Sequence, residues 1–293
     1  MAAIPRLTSR LVIAVTAPVT LWLRHASQSH SGNCLSGGGD HARHLDLAPL
    51  ARLRLLALVG FAVAALALPV TANATTIYAA SSLSKVVPTI APGNTYSFAG
   101  SDTLTFQIEN GAPADLFAAA SPKYPKQLAA KGLCEKPVPF ASNTLVIIVP
   151  AGSKAISSLA DLQVGPPRRL AIGAAAVPIG AYTREVLANA GADAVLTRNT
   201  VSDEQDAAGI VSKVALGSAD AGIAYVTDAK SSDGRVRAVA LPASAQPVVT
   251  YMACVVVRDG ANITAAKDYL TKLTGPAGQA ALKAAGFGPA PSK

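Results

Sequence analysis

The chain has 293 residues, 51% hydrophobic and 14% charged, enough apolar material for one large or two ordinary α/β domains and too much for general disorder. Its net charge of +8 does not mark a nucleic-acid binder: residues 1–74 hold six of the 25 basic and two of the 17 acidic residues, and the rest of the excess is thinly spread. His25, His30, His41, His44 and Trp22 all precede residue 75, so a chain processed there holds no histidine for a triad, a zinc-histidine site or a general base.

Residues 1–74 read as an N-terminal extension plus a signal peptide. Arg52 and Arg54 precede an apolar run from Leu55 to Leu68, Pro69 breaks it, and Ala72-Asn73-Ala74 presents small residues for cleavage after Ala74. The run is shorter than the ~20 residues of a membrane span, and a retained anchor is the alternative. Cleavage leaves Cys134 and Cys254 in an oxidising compartment, either as one disulfide or as two separate buried thiols.

From residue 75 onward strands and helices alternate. Thr75–Ala79 reads as a strand, and Ser81-Ser82 offers an N-cap for a short apolar face of Leu83, Val86 and Val87. Thr95–Ala99 is a second strand, and Gly100-Ser101 opens a helix that Gly111 closes. Asp115–Ala119 is a third strand, followed by Ser121-Pro122 at a helix start, and Thr144–Val149 is an apolar strand. Arg169–Gly173 reads as a strand and Gly180–Ala190 as a helix. Ser202-x-x-Gln205 reads as a capping box before a helix carrying Ile210, Val211 and Val214. Ala221–Val226, Val236–Leu241 and Val248–Val257 are strands, and Ile263–Leu273 and Pro276–Ala285 are closing helices. This alternation predicts mixed sheets flanked by helices in two lobes, with no internal sequence repeat.

Two predicted strands end in serine-bearing turns, Ala80-Ser81-Ser82 and Ala99-Gly100-Ser101. Ligands of α/β sheets gather beyond the carboxyl ends of strands. A helix N-terminus there presents free N–H groups and about half a positive charge, and so attracts anions. Either serine alone is most simply a helix cap; two such turns in one lobe point to an anion site.

Tyr78-Ala79-Ala80-Ser81-Ser82-Leu83 resembles the opening of periplasmic molybdate-binding proteins, the solute receptors of molybdate ABC importers. The resemblance continues through Phe98-Ala99-Gly100-Ser101, the run Gln107-Ile108-Glu109-Asn110-Gly111-Ala112-Pro113-Ala114-Asp115-Leu116-Phe117, and Asn143-Thr144-Leu145-Val146. It returns at Val177-Pro178-Ile179-Gly180, at Gly222-Ile223-Ala224-Tyr225-Val226-Thr227-Asp228-Ala229, and at Gly286-Phe287. It implies a two-lobed type II periplasmic binding protein, α/β in class, with an oxyanion in the inter-lobe cleft. Lobe 1 is then 75–142 with 258–293 and lobe 2 is 143–257, with chain crossings near Ser142–Leu145 and Tyr251–Arg258.

By the same resemblance Ser82 and Ser101 match donors of hydroxyl and backbone hydrogen bonds, Ile179 and Ala224 match backbone donors, and Tyr251 matches a phenol that reaches the ligand from near the hinge. These five residues would hold molybdate or tungstate as an oxyanion, not a bare cation, and no other cofactor is implied. The implied protein is a periplasmic or otherwise secreted monomer that delivers its ion to an ABC permease and its ATPase, with no nucleic-acid partner.

This sequence departs from the family in four places. Ala174-Ala175 stand where an Asp/Asn-Pro pair is usual, Ile179 replaces a smaller residue, the loop between Ser82 and Phe98 is shorter than usual, and Asp102 follows Ser101 where serine is usual. Asp102 in a first helical turn is expected to face solvent and favour the helix dipole. Beside a ligand it would repel a dianion and suit an oxyanion that carries a proton, such as hydrogen phosphate. Phosphate or sulfate is therefore the alternative ligand. A more distant alternative is an enzyme: Ser82-Leu83-Ser84-Lys85 matches the Ser-x-x-Lys of penicillin-recognising serine hydrolases, but the chain contains no Lys-Thr-Gly.

Overall fold

The computed structural model describes residues 74–291. The N-terminal extension and signal peptide expected on 1–74 lie outside this range but for Ala74. Five strands form the first sheet: β1 (Thr76–Ala80), β2 (Thr95–Ala99), β3 (Leu116–Ala119), β4 (Val138–Asn143) and β10 (Val249–Val255), in the order β2-β1-β3-β10-β4. β1 runs parallel to β2 and β3, and β10 antiparallel to β3 and β4. β3 shows how the sheet is buried on both faces. Leu116 and Ala118 join the main core, while Phe117 and Ala119 join a second cluster with Leu104, Ile108 and Leu128. That second cluster lies under α2 (Ser101–Glu109) and α3 (Lys123–Ala130). On the other face α9 (Ile263–Thr274) and α10 (Pro276–Ala285) close over α1 (Val87–Ile90), and the Tyr269 hydroxyl donates to the Val87 carbonyl at 3.0 Å.

The second sheet holds β5 (Leu145–Pro150), β6 (Leu170–Gly173), β7 (Thr200–Glu204), β8 (Ala221–Tyr225) and β9 (Val236–Ala240), in the order β7-β6-β8-β5-β9. Here β6 runs parallel to β7 and β8, and β5 antiparallel to β8 and β9. Its helices include α4 (Ala160–Gln163), α5 (Pro178–Asn189), α6 (Ala194–Asn199), α7 (Ala207–Ala215) and α8 (Val226–Lys230). Gly173 at the end of β6 and Gly180 at the start of α5 touch backbone to backbone. A Cβ on Gly180 would lie 1.9 Å from the Ala174 carbonyl oxygen, so only glycine fits.

Two expectations are corrected here. β10 belongs to the first sheet, so the return crossing lies between β9 and β10, ahead of residue 249, and not near 258. An apolar strand of this kind fits either sheet, and its pairing with β3 and β4 decides the matter. The segment containing Ser202 is a strand and not a capping box; the cap of α7 is Asp206, whose Oδ1 accepts from the Gly209 N–H at 2.8 Å. The outgoing crossing runs from Asn143, the end of β4, to Leu145, the start of β5. Gln246 ties the two crossings together: its amide accepts from the Leu145 N–H at 2.9 Å and donates to the Leu145 carbonyl at 2.8 Å.

Cys134 and Cys254 form a disulfide that joins the segment after α3 to β10. Asp115 belongs to the run Gln107–Phe117 of the family resemblance, and its part is structural. It is 4% exposed, pairs with Arg258 at 2.7 Å, and accepts from the backbone of Thr76 and Asn262. It thereby fastens the start of β1 to the chain leaving β10.

Candidate functional site

The in-register parallel pairing of β1 and β2 ends at Ala80 opposite Ala99, so the next residues, Ser81-Ser82 and Gly100-Ser101, emerge side by side. β3 ends beside them and contributes Ala120. The second sheet does the same with the ends of β6, β7 and β8, which contribute Val177–Ile179, Asp206-Ala207 and Tyr225. These six strand ends face one another across a narrow cleft. The two lobes meet around it: the Tyr124 hydroxyl of α3 donates to the Ala176 carbonyl, and Gly100 lies under the Gln205 carbonyl.

Of the five residues expected at the site, Ser82, Ser101 and Ile179 line the cleft together. Tyr251 is fully buried beneath it, with its hydroxyl 2.8 Å from Ser82 Oγ and 3.3 Å from the Asn143 Nδ2 that donates to it. Ala224 does not line the cleft; it is fully buried inside β8, opposite Val146, and the next residue, Tyr225, takes the cleft position. Tyr225 belongs to the resemblance run Gly222–Ala229 but is not among the five residues expected at the site. The signal was its position as the last residue of a strand that runs straight into a helix, as Ala80 leads into the turn of Ser81 and Ser82 in the first lobe.

Each lobe offers donors in its own way. Ser101 is 1% exposed, and its Oγ accepts from the Ala120 N–H at 3.1 Å, which leaves the hydroxyl proton for another partner. In the second lobe Pro178 takes the first position of α5, so the N–H groups of Ile179 and Gly180 are the first donors of that helix and have no carbonyl one turn back. Asp206 satisfies Gly209, leaving the start of α7 open in the same manner. Among the described residues no lysine or arginine lines the cleft. The arrangement suits an anion stripped of water and held by neutral dipoles.

One carboxylate, Asp206, lines this cleft, and two others, Asp228 and Asp102, adjoin lining residues. Asp228 is 6% exposed at the start of α8. Burial pushes its carboxyl up to about 7, against the lowering effect of the Tyr225 N–H it accepts, with the Asp206 charge adding to the rise. Asp102 differs from the expected solvent-facing first-turn residue. It is half-buried, and its Oδ1 is enclosed without a hydrogen-bond partner, beside Gly100. Burial, and then the Asp102 charge, push the Tyr124 phenol up to about 12. The Ser-x-x-Lys pattern does not form a catalytic pair: Ser82 Oγ is engaged with Tyr251, while Lys85 is exposed and lines a neighbouring polar cavity with Arg235.

Residues 75–288 match the bacterial extracellular solute-binding protein family. The chain is 36% identical over 194 residues to the molybdate-binding protein ModA of Mycobacterium tuberculosis, covering 66% of this chain and 72% of that protein. It is 35% identical over 259 residues to the molybdate-binding protein ModA of Haemophilus influenzae, covering 80% of this chain and 94% of the relative. In fold it is similar to the periplasmic molybdate-binding protein of Azotobacter vinelandii, with a TM-score of 0.65 and 22% identity over 73% of this chain and 98% of the other.

Proposed function

Since the chain belongs to the bacterial extracellular solute-binding protein family, we propose that it is the receptor of an ABC importer for molybdate, with tungstate as the equivalent ion. The observation that carries this reading is that relatives sharing about a third of its residues along most of their length are molybdate-binding proteins. The cleft supports it physically. Serine hydroxyls and helix-start N–H groups converge from two lobes, with no lysine or arginine among the lining residues. Such a set binds a small oxyanion by replacing its water shell without importing a counter-charge.

On this reading Ser82 and Ser101 donate from the first lobe and the Ile179 N–H from the second. Tyr251 reaches the anion through, or beside, Ser82. Ala224 acts only through the backbone of β8. The family is one of binding proteins, and the receptor performs no chemistry on its ligand. It works outside the cytoplasm and hands the ion to a membrane permease driven by an ATPase.

One observation favours a second ligand. The unpartnered Asp102 Oδ1 at the edge of the cleft would accept the proton of hydrogen phosphate. Thermal melting and calorimetry of the full chain with molybdate, tungstate, sulfate and phosphate separate the two. A ligand bound only by the native state stabilises it by mass action, so molybdate and tungstate at micromolar concentration should raise the melting temperature and sulfate and phosphate should do little. A larger shift with phosphate than with molybdate overturns the assignment.

A further inference from the structure

A second cavity, of about 120 Å³, lies beside the ligand cleft, and Ser81 lines both. Both lobes build it. The first contributes Ser81, Ser84 and Lys85, which follow β1. The second contributes Ser212 of α7, Asp228 of α8 and Arg235 just ahead of β9. Among the described residues neither Lys85 nor Arg235 is in an ion pair. The Arg235 Nε donates to the Ser232 carbonyl at 3.0 Å, which fixes the guanidinium and leaves its terminal nitrogens for another partner. The one acid in the lining, Asp228, gives an oxygen to the Tyr225 N–H, and burial pushes its carboxyl up to about 7, so near pH 7 it is only partly ionised. Bringing the lobes together therefore crowds two like charges into one cavity, at a Coulombic cost that a small anion between them removes. The hydroxyls of Ser84 and Ser212 add neutral donors.

We propose that this cavity is a second anion site, which takes a free, doubly charged tetrahedral oxyanion such as sulfate or hydrogen phosphate between Lys85 of the first lobe and Arg235 of the second. It differs in kind from the cleft. Among the described residues the cleft is lined without lysine or arginine, whereas this cavity meets its anion with opposite charge. An ammonium, a guanidinium and several hydroxyls suit an anion with several oxygens and two charges better than a halide. Because the two cations belong to different lobes, the bound anion holds the lobes together and slows the release of the ion in the cleft. The site does not depend on which ion the cleft prefers.

The probe is selenate, a tetrahedral dianion whose selenium scatters X-rays anomalously, so that its position is read directly. Crystals of the full chain grown with selenate should show an anomalous peak between Lys85 and Arg235. A peak in the cleft alone, or only at lattice contacts, overturns the proposal. In solution the full chain is loaded with whichever of molybdate, tungstate, sulfate and phosphate it binds most tightly, and is then titrated with selenate by calorimetry. Wild type should take up one further selenate per chain, and the double variant Lys85→Ala with Arg235→Ala should bind it at least about tenfold more weakly. Both residues are exposed, so the ligand-free melting temperature of the variant should stay within about 2 °C of wild type. Lys85→Arg keeps the charge and should retain selenate affinity within about threefold; a loss as large as that of Lys85→Ala overturns the proposal. Selenate should slow release of the preloaded cleft ion about fivefold or more in wild type and leave it unchanged in the double variant. Equal release rates with and without selenate overturn the link to closure. Glycerol 3-phosphate should bind more weakly than selenate, and binding tighter by tenfold or more overturns the assignment to a free ion. A wild type that holds none of the four ions in the cleft overturns the proposed function alone, and the second site is then judged on its anomalous peak.

Discussion

The two lobes repeat one topology without repeating a sequence. In each sheet a parallel trio at one side, β2-β1-β3 or β7-β6-β8, is extended by an antiparallel strand and an outer fifth strand. In each, the cleft receives the ends of the three parallel strands. The chemistry at those ends differs. The first lobe presents hydroxyls, Ser82 and Ser101. The second presents the backbone of two helix starts and one phenol, Tyr225. On the proposed reading, an anion held in this way meets serine side chains on one wall and mostly main chain on the other. The first wall is therefore open to change by substitution, whereas the second is written into the path of the backbone.

The largest effect should come from the backbone wall. Gly180→Ala drives a Cβ against the carbonyls of Ala174 and Gly173, neither of which can retreat, and should destabilise the fold by about 3–5 kcal/mol, read by chemical denaturation. Gly100→Ala on the other wall is the contrasting case. Its Cβ would meet the Gln205 carbonyl of the opposite lobe at 2.4 Å, a clash that opening the lobes relieves, and the Asp102 Oδ1 of its own lobe at 2.6 Å, the end of a side chain that can turn aside. It should spare the ligand-free melting temperature and weaken oxyanion affinity by about tenfold or more. Equal loss of stability in both variants would break the distinction.

The disulfide belongs to the first lobe, yet the loop it closes, with a sequence separation of 120, contains the whole second lobe. Cys134→Ser with Cys254→Ser should cost about 2–5 kcal/mol of stability, measured by thermal and urea melts against wild type. Affinity at temperatures below the melt should be unchanged, because neither cysteine lines the cleft. A large loss of affinity would show that the crosslink shapes the site.

Asp228 in the second lobe gives a pH-dependent effect that the serine wall lacks. Its folded pKa of about 7 lies above the ordinary 3.8, so the folded state holds the proton more tightly than the unfolded state. Its contribution to stability is fully present below about pH 4 and is lost as pH rises through about 7. Wild type should therefore lose on the order of 2–4 kcal/mol relative to Asp228→Asn between those limits, followed by melts at stepped pH. Parallel pH profiles for the two proteins would contradict this.

The smallest effects compare single donors. Ser82→Ala removes a hydroxyl and should lose about 1.5–3 kcal/mol of binding. Ile179→Val leaves the N–H in place, and its oxyanion affinity should stay within about threefold of wild type by calorimetry. Lys85→Ala, exposed and outside the cleft, should change the association rate more than the affinity.

Much of this was legible in the linear order of residues. β-branched and apolar runs marked β1, β2, β3, β5 and β8, and Gly100-Ser101 marked the start of α2, because capping and alternation are local properties. β4 and β7 were not recognised. β7 ends in Asp203 and Glu204 and is an edge strand, extended only because β6 lies beside it. The two serine turns were readable as anion donors, since each is complete within a few residues.

What the sequence could determine by itself were the features of short range: where strands stop, where helices begin, and which of those junctions carry hydroxyls. The tertiary structure decided the rest. It assigned β10 to the first sheet, joined Cys134 to Cys254, buried Tyr251 behind Ser82, and brought Tyr225 in place of Ala224 to the cleft. Each of these depends on contacts between residues far apart in the chain. In a strand, moreover, a shift of one residue turns a side chain from one face of the sheet to the other. Local pattern constrains that register weakly when the strand is apolar on both faces, as β8 is, and the pairing with neighbouring strands settles it.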